Sequence, residues 1–348
     1  MSDPLVVIDA DVLGRQRTGD ETYVANLLRE LPAFADGLRL AAVTRNPELI
    51  PEGVEPIPLA ARSQPLRMAI RLPLLLRSRQ PAVAHFIHVV PPAWRGRSLI
   101  TVQDLSFERF PGLMNRSDRF FFRTFVPRSA RRADRVLTGS ESTKQDVVER
   151  YGVEPDRILV TPYGFDPVFA PEGPRREGPP YALFVGALEE RKRPQLALRA
   201  LLGVDSGLRL VFAGPDRGLE AELRRTAQTL GLDTRVEFSG HVPREDLAAL
   251  YRGAAALVFP SQYEGFGLPV LEAMASGTPV VATPSSSIPE VVGDAAILVE
   301  PDAKALAMGI ERAVAERERL HDLGLARAAQ FSWRETARRT ADAYRAVL

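Results

Sequence analysis

The feature that most limits what this chain can fold into is the recurrence of short, apolar, β-branched runs separated by stretches of helical spacing. LVVIDAD (5–11), LRLAAVT (38–44), AVAHFIH (82–88), SLITVQD (98–104), RVLTGS (135–140) and ILVTPYG (158–164) follow one another in the first half. The second half repeats the scheme with YALFVGA (181–187), RLVFAGP (209–215), RVEFSG (235–240), AALVFPS (255–261) and PVVATP (279–284). Between most of them lie helical patterns such as Tyr23, Leu27, Leu28 and Leu31. Two rounds of strand and helix alternation predict an α/β chain with two Rossmann-like domains, each a parallel sheet covered by helices.

The 348 residues also exceed one ordinary core and divide naturally into two. Residues 164–180, GFDPVFAPEGPRREGPP, hold five Pro and three Gly in seventeen positions, which breaks both periodicities. The expected domains are 1–165 and 181–332, joined by a linker at 166–180, with a terminal helix at about 333–348. In FSWRETA, Ser332 reads as the N-cap of that helix and Glu335 as its capping-box partner.

No apolar run reaches the ~18 to 20 residues of a membrane span, and no early one follows a basic start, so a cytoplasmic location is expected. With no Cys, thiolate chemistry and Cys-based zinc sites are excluded; His85, His88, His241 and His321 are scattered, and no metal site is expected. His85 and His88, three apart on a strand, fall on opposite faces. Net charge is +1, yet residues 60–135 carry fifteen Arg against Asp104, Glu108, Asp118 and Asp134, an excess of 15 − 4 = +11. Within that window Arg-rich RFFFRTFVPRSARRADR (119–135) looks like a nucleic-acid surface, but Phe121, Phe125 and Ala130 at helical spacing read more simply as a core face, and no nucleic-acid partner is expected. Only Lys144, Lys192 and Lys304 are lysines.

The chemistry concentrates in PSQYEGFGLPVLEAMASGTPVVA (260–282). It follows a strand, and ligands of open parallel sheets bind beyond the carboxyl ends of strands. Glu264 and Glu272 flank Gly265-Phe266-Gly267, and Pro269 suits the first turn of a helix. Backbone N–H groups at such a helix start lack helical partners and form a natural phosphate site. Glu272, read in the first turn, would accept hydrogen bonds from vicinal hydroxyls; alternatively it only favours the helix start. Arg191 and Lys192, after the first strand of the same half, could neutralise a diphosphate or simply be a solvated helix start.

These residues resemble the signature of the retaining glycosyltransferases of family 4, which have the GT-B fold. The resemblance covers nearly the whole chain: GALEERKRP (186–194), FSGHVPREDLAALY (238–251) and FSWRETA (331–337) are similar to the family's phosphate, base-loop and terminal-helix segments. It implies two domains facing across a cleft, with the terminal helix returning to the first. It also implies that Glu264 faces the donor sugar, that Phe266, Gly267 and Leu268 offer backbone N–H groups to sugar and phosphate, and that Glu272 binds the ribose. Arg191 and Lys192 would hold the diphosphate beside Gly186, Val242 would lie near the base, and Gly19, in TGDETYVANLL, would stand opposite the diphosphate. Where relatives carry His-Asp, this chain has Gln103-Asp104, so no imidazole is available there, and Ala187 replaces an Arg common in other branches.

The resemblance implies transfer of a sugar from a nucleotide diphosphate donor to an acceptor hydroxyl with retention, GDP-mannose being the first donor expected; the donor is a substrate, and no cofactor or metal is called for. A nucleotide-sugar epimerase, a phosphorylase or an inactive nucleotide-sugar-binding scaffold stays open as an alternative. The acceptor is expected to be a glycan, a glycolipid or a small metabolite. In RSQPLRMAIRLPLLLRSRQP (62–81), Arg67, Arg71, Arg77 and Arg79 stand among Leu72, Leu74, Leu75 and Leu76, a mixture suited to an anionic membrane at the cytoplasmic face. The competing reading packs the leucines on the sheet and leaves the arginines solvated, since Pro65 and Pro73 interrupt a long amphipathic helix.

Overall fold

The structure, a computed structural model, describes residues 3–15 and 18–348. It divides into two compact units, Met1–Gly164 with Ser332–Leu348, and Phe165–Phe331. In the first, β1 (Leu5–Asp9), β2 (Arg39–Thr44), β3 (Glu55–Pro58), β4 (Val83–Ile87), β5 (Ser98–Val102), β6 (Arg135–Thr138) and β7 (Ile158–Val160) form one parallel sheet of order β3-β2-β1-β4-β5-β6-β7. In the second, β8 (Tyr181–Val185), β9 (Arg209–Ala213), β10 (Val236–Gly240), β11 (Ala256–Phe259), β12 (Val280–Ala282) and β13 (Ile297–Leu298) are ordered β10-β9-β8-β11-β12-β13, again parallel throughout. In both sheets strand order reverses beside the first strand, at β1/β4 and β8/β11, the switch points where loops diverge and leave room for a ligand.

Central strands are apolar at successive positions because helices cover both faces; β5 and β8 are buried at every residue. Two strands escape the sequence pattern. β3 contains Pro56 and Pro58, tolerated because it is an edge strand with no neighbour on one side, and β13 has only two residues.

The Pro-rich stretch after Gly164 is strapped to the second unit. Arg252 donates from Nε to Pro174 O at 2.6 Å and from a terminal nitrogen to Val168 O and Ala170 O, and Arg176 pairs with Glu237 at 2.6 Å. The terminal helix Trp333–Arg345 belongs to the first unit, as the resemblance implied. Its Ser332 hydroxyl accepts from Glu335 N at 3.1 Å, while the Glu335 carboxylate lies on Arg338 and Arg339 rather than back on the cap. The helix is locked by a buried polar chain in which His85 Nδ1 meets Tyr344 OH at 2.7 Å and His85 Nε2 meets Thr101 Oγ1 at 2.8 Å. Burial pushes His85 down to about 3, so the imidazole is neutral and structural.

Arg67 corrects the surface expected for residues 62–81. It is fully buried, its guanidinium closed on Asp9 at 2.6 and 2.9 Å and on Asp11 at 3.3 Å. A charge this deep persists only when paired, and both acids stand at the carboxyl end of β1. Leu72 and Leu76 are buried as the competing reading required, but Leu74 is 56% exposed. Ala130 is buried in the same core, with Phe121 and Phe125 packed against it.

Candidate functional site

In the second unit the site begins where β8 and β9 leave the sheet. Gly186 and Gly214 pass backbone to backbone, and a Cβ on Gly214 would stand 2.1 Å from Gly186 O. Only glycine allows that approach, and its φ of +150° also lies outside the range of other residues. The chain then turns through Glu190–Lys192 and brings two cations to Glu264, beyond the end of β11. Lys192 Nζ is 2.6 Å from Glu264 Oε1 and 5.0 Å above the Phe259 ring; Arg191 is 3.4 Å from the same oxygen, 2.6 Å from Glu189, and donates to Tyr263 O at 2.5 Å. Burial alone would raise the Glu264 carboxyl, but Lys192, Arg191 and a bond from Ser261 together hold it below the usual carboxylate range.

The loop after Glu264 is held by hydroxyls that the sequence reading did not single out. Ser286 Oγ accepts from Glu264 N at 2.7 Å and donates to Glu264 O at 2.9 Å, and Ser287 Oγ lies 3.0 Å from Glu264 O and 2.9 Å from Phe266 O. Thr283 and Ser285 donate to Ser261 O at 2.7 and 2.6 Å. The readable signal was the small-hydroxyl run TPSSS directly after β12, a strand paired with β11.

Gly267 caps the helix Leu268–Ala275 with φ +101°. In its first turn Pro269 has no N–H and Val270 N donates to Gly267 O at 3.0 Å, so the donors this helix start can offer an anion are the Gly267 and Leu268 amides. Glu272 lies in the second turn, not the first, so the dipole contribution, which fades within one turn, cannot be its main role. Half-buried, it accepts from Tyr251 OH at 3.1 Å, and burial raises it to about 7 against the opposing effects of Tyr251 and Arg244. Arg244 is itself paired with Asp166 at 2.5 Å and stands two residues after Val242, in the loop that leaves β10.

The first unit carries the remaining candidates. Gln103 follows β5; its Oε1 accepts from Tyr163 OH, and its Nε2 is enclosed without a hydrogen-bond partner. Tyr163 is fixed by stacking on Trp333 at 5.5 Å, by tilting on Tyr23 at 5.1 Å, and by Gly139, where a Cβ would come within 2.7 Å of its ring. Asp104 caps the next turn through Ser106 N and Oγ. His88, at φ +63°, lies 3.4 Å from Asp20. Gly19 is exposed near the start of Thr18–Glu30, with open space where a Cβ would be. The structure thus joins Arg191, Lys192 and Glu264 in direct contact, places Phe266 to Leu268 and Glu272 on one loop and helix, sets Val242 on a separate loop, and puts Gln103 and Gly19 in the other unit. Among the described residues no group of His, Asp or Glu could hold a metal ion.

Residues 167–329 match the family model of glycosyl transferases group 1, and residues 17–169 that of Glycosyltransferase Family 4. The chain is 32% identical over 291 residues to the O-antigen chain mannosyltransferase B of Escherichia coli, covering 78% of this chain and 76% of that protein. It is 35% identical to the D-inositol 3-phosphate glycosyltransferase of Nocardia farcinica over 62% of this chain and 53% of that relative's length. A sucrose-phosphate synthase from Thermosynechococcus elongatus superposes with a TM-score of 0.77 at 22% identity, covering 99% of both chains.

Proposed function

The chain belongs to the family 4 glycosyltransferases, with the GT-B fold, and from that membership we propose that it transfers a hexose with retention from a nucleotide diphosphate donor to an acceptor hydroxyl. GDP-mannose is the first donor to test, a choice supported by the similarity to a mannosyltransferase. The observation that carries the reading is the Arg191–Lys192–Glu264 contact at the β8/β11 switch point.

Lys192 and Arg191 receive the diphosphate, with the Gly267 and Leu268 amides at the helix start adding partial positive charge. Glu264 holds both cations in place and faces the donor sugar, Glu272 accepts from the ribose hydroxyls, and the base lies against the backbone of Val242. Gln103 is assigned to a sugar hydroxyl through its amide N–H, and Gly19 to the diphosphate. No protein nucleophile is required in a front-face displacement. The acceptor oxygen bonds to the anomeric carbon as the bond to the phosphate oxygen breaks, and the acceptor proton passes to the departing phosphate. Positioning and stabilisation of charge on that phosphate supply the rate.

The acceptor is read as a glycan or glycolipid, and the enzyme as one working at the cytoplasmic face of a membrane. A thermal-shift screen with GDP-mannose, UDP-glucose and UDP-N-acetylglucosamine tests the donor, since a ligand at about 100 times its dissociation constant stabilises by about 2.7 kcal/mol. The anomeric configuration of the transferred sugar, read by NMR, tests retention. No stabilisation by any nucleotide sugar, or an inverted product, overturns the assignment.

A further inference from the structure

The segment from Ser63 to Arg79 has two unlike faces. Its inner side is buried through Arg67, Met68, Leu72 and Leu76, and the Arg67 ion pairs pin it to the end of β1. Its outer side carries Leu66, Ile70 and Leu74, exposed to 37%, 51% and 56%. Single exposed aliphatic residues are ordinary on a protein surface, but three in a row are not. Four-residue spacing overshoots a full α-helical turn by about 40°. The wider π-turn Arg67–Arg71 between the first two residues takes up that drift, so the three side chains align along the helix. Next to Leu74 lies a shallow depression of about 480 Å³ walled by Pro58, Leu59, Ala60, Arg71 and Leu75.

At its C-terminal end the row runs into a ring of arginines. Arg77, one turn beyond Leu74, donates to Ala93 O at 3.3 Å; Arg95 donates to Pro92 O at 2.6 Å; Arg132 donates to the same Pro92 oxygen at 3.3 Å. All three are exposed, and the partners they share are backbone carbonyls of one loop rather than carboxylates. Partial burial, and after it the neighbouring Arg95 charge, pulls Arg132 below the ordinary arginine range. By contrast Arg67, Arg79, Arg109 and Arg123 of the same window each hold an acid.

We propose that this face docks on an anionic lipid bilayer, with Leu66, Ile70 and Leu74 entering the headgroup layer and Arg77, Arg95 and Arg132 meeting lipid phosphates. The proposal rests on the reading of a lipid-linked acceptor and adds the surface that brings the enzyme to it. Charge complementarity favours a bilayer: the planar guanidinium fork matches phosphate oxygens, and exposed apolar side chains beside cations are what an interfacial helix presents.

Flotation of the full chain with phosphatidylcholine vesicles, with and without about 30% phosphatidylglycerol, tests this at low salt. The protein should float with the anionic vesicles, stay behind with the neutral ones, and be released at about 500 mM salt, where attraction beyond a few ångströms is screened. The double variant Ile70→Ser/Leu74→Ser and the triple variant Arg77→Gln/Arg95→Gln/Arg132→Gln should each weaken partition about tenfold or more. Met308→Ser, an equally exposed apolar site in the second unit, should float like the unchanged protein. Circular dichroism checks that each variant is folded. Failure of the unchanged protein to float at low salt overturns the proposal, as does undiminished flotation of both folded variants. Because donor stabilisation is measured without lipid, its loss or retention separates failure of the glycosyltransferase reading from failure of the docking surface.

Discussion

If Glu272 grips the donor ribose, donor affinity must carry the signature of its ionisation. Only the carboxylate can accept from two vicinal hydroxyls; the protonated acid must spend one oxygen as a donor. In the ligand-free protein burial raises this group from 4.5 to about 7. About nine-tenths is then ionised at about pH 8 and about one-tenth at about pH 6. A donor that binds only the ionised form should therefore lose about tenfold in affinity between those two values, with a proton released on binding near and below neutrality.

Isothermal titration in two buffers of different ionisation enthalpy measures both quantities, and a nucleotide sugar is the proper ligand because its diphosphate diester does not titrate in this range. Tyr251→Phe removes a bond that lowers the Glu272 pKa, so its affinity midpoint should move to higher pH; Glu272→Gln should bind weakly with no dependence. The sign for stability runs the other way. A raised acid makes the folded state the tighter proton binder, so the ligand-free protein should lose stability as pH rises from about 4.5 through about 7. Donor affinity unchanged from pH 6 to 8, or a slope that survives in Glu272→Gln, refutes the ribose assignment.

Lys192→Met should lower kcat by about 10²-fold, the scale of one preorganised electrostatic group, and near-normal turnover in folded protein would remove its role. Tyr163→Phe should lower kcat about tenfold with donor KM unchanged by releasing the Gln103 amide, and should add nothing further in a Gln103→Ala background if it acts through Gln103. With two cations and a helix start available to the diphosphate, activity should survive EDTA; a complete loss that magnesium or manganese restores would overturn this.

The fold was legible because buried parallel strands write themselves as apolar runs, and it was misread where that rule weakens. The Pro-bearing edge strand β3 and the two-residue β13 carry no such run. Most runs also overshoot their strands at the carboxyl end: Gly186-Ala187, Gln103-Asp104 and Ala10-Asp11 continue the sequence pattern but have left the sheet. Those overshoots are where the candidate site residues gather, since loops diverge there. What remained hidden were contacts between distant parts of the chain. Arg67 meets Asp9 across 58 residues, Tyr163 meets Gln103 across 60, and Ser286 meets Glu264 across 22. An arginine's usual place is solvent, and nothing local to Arg67 marks it as the exception.

The charge balance at Glu264 connects the resting site to the proposed reaction. Glu189 and Glu264 offset Arg191 and Lys192, so the quartet is neutral before a ligand arrives. A diphosphate brings negative charge into competition with Glu264 for the same two cations. Lys192 is suited to that exchange, because its ammonium has three N–H donors and Glu264 takes one. Arg191 is anchored by Tyr263 O and by Glu189 and can keep its place while it exchanges Glu264 for phosphate. On this reading Glu264 does two things in sequence. It prevents two cations from repelling each other apart in the empty site, and it yields part of their field as the leaving phosphate charges, turning its own oxygens to the sugar hydroxyls. Glu264→Gln would keep the shape but not the charge, leaving the cations uncompensated, so it should tighten binding of nucleoside diphosphate while slowing transfer. Looser product binding together with slower transfer would show that Glu264 is only a sugar ligand.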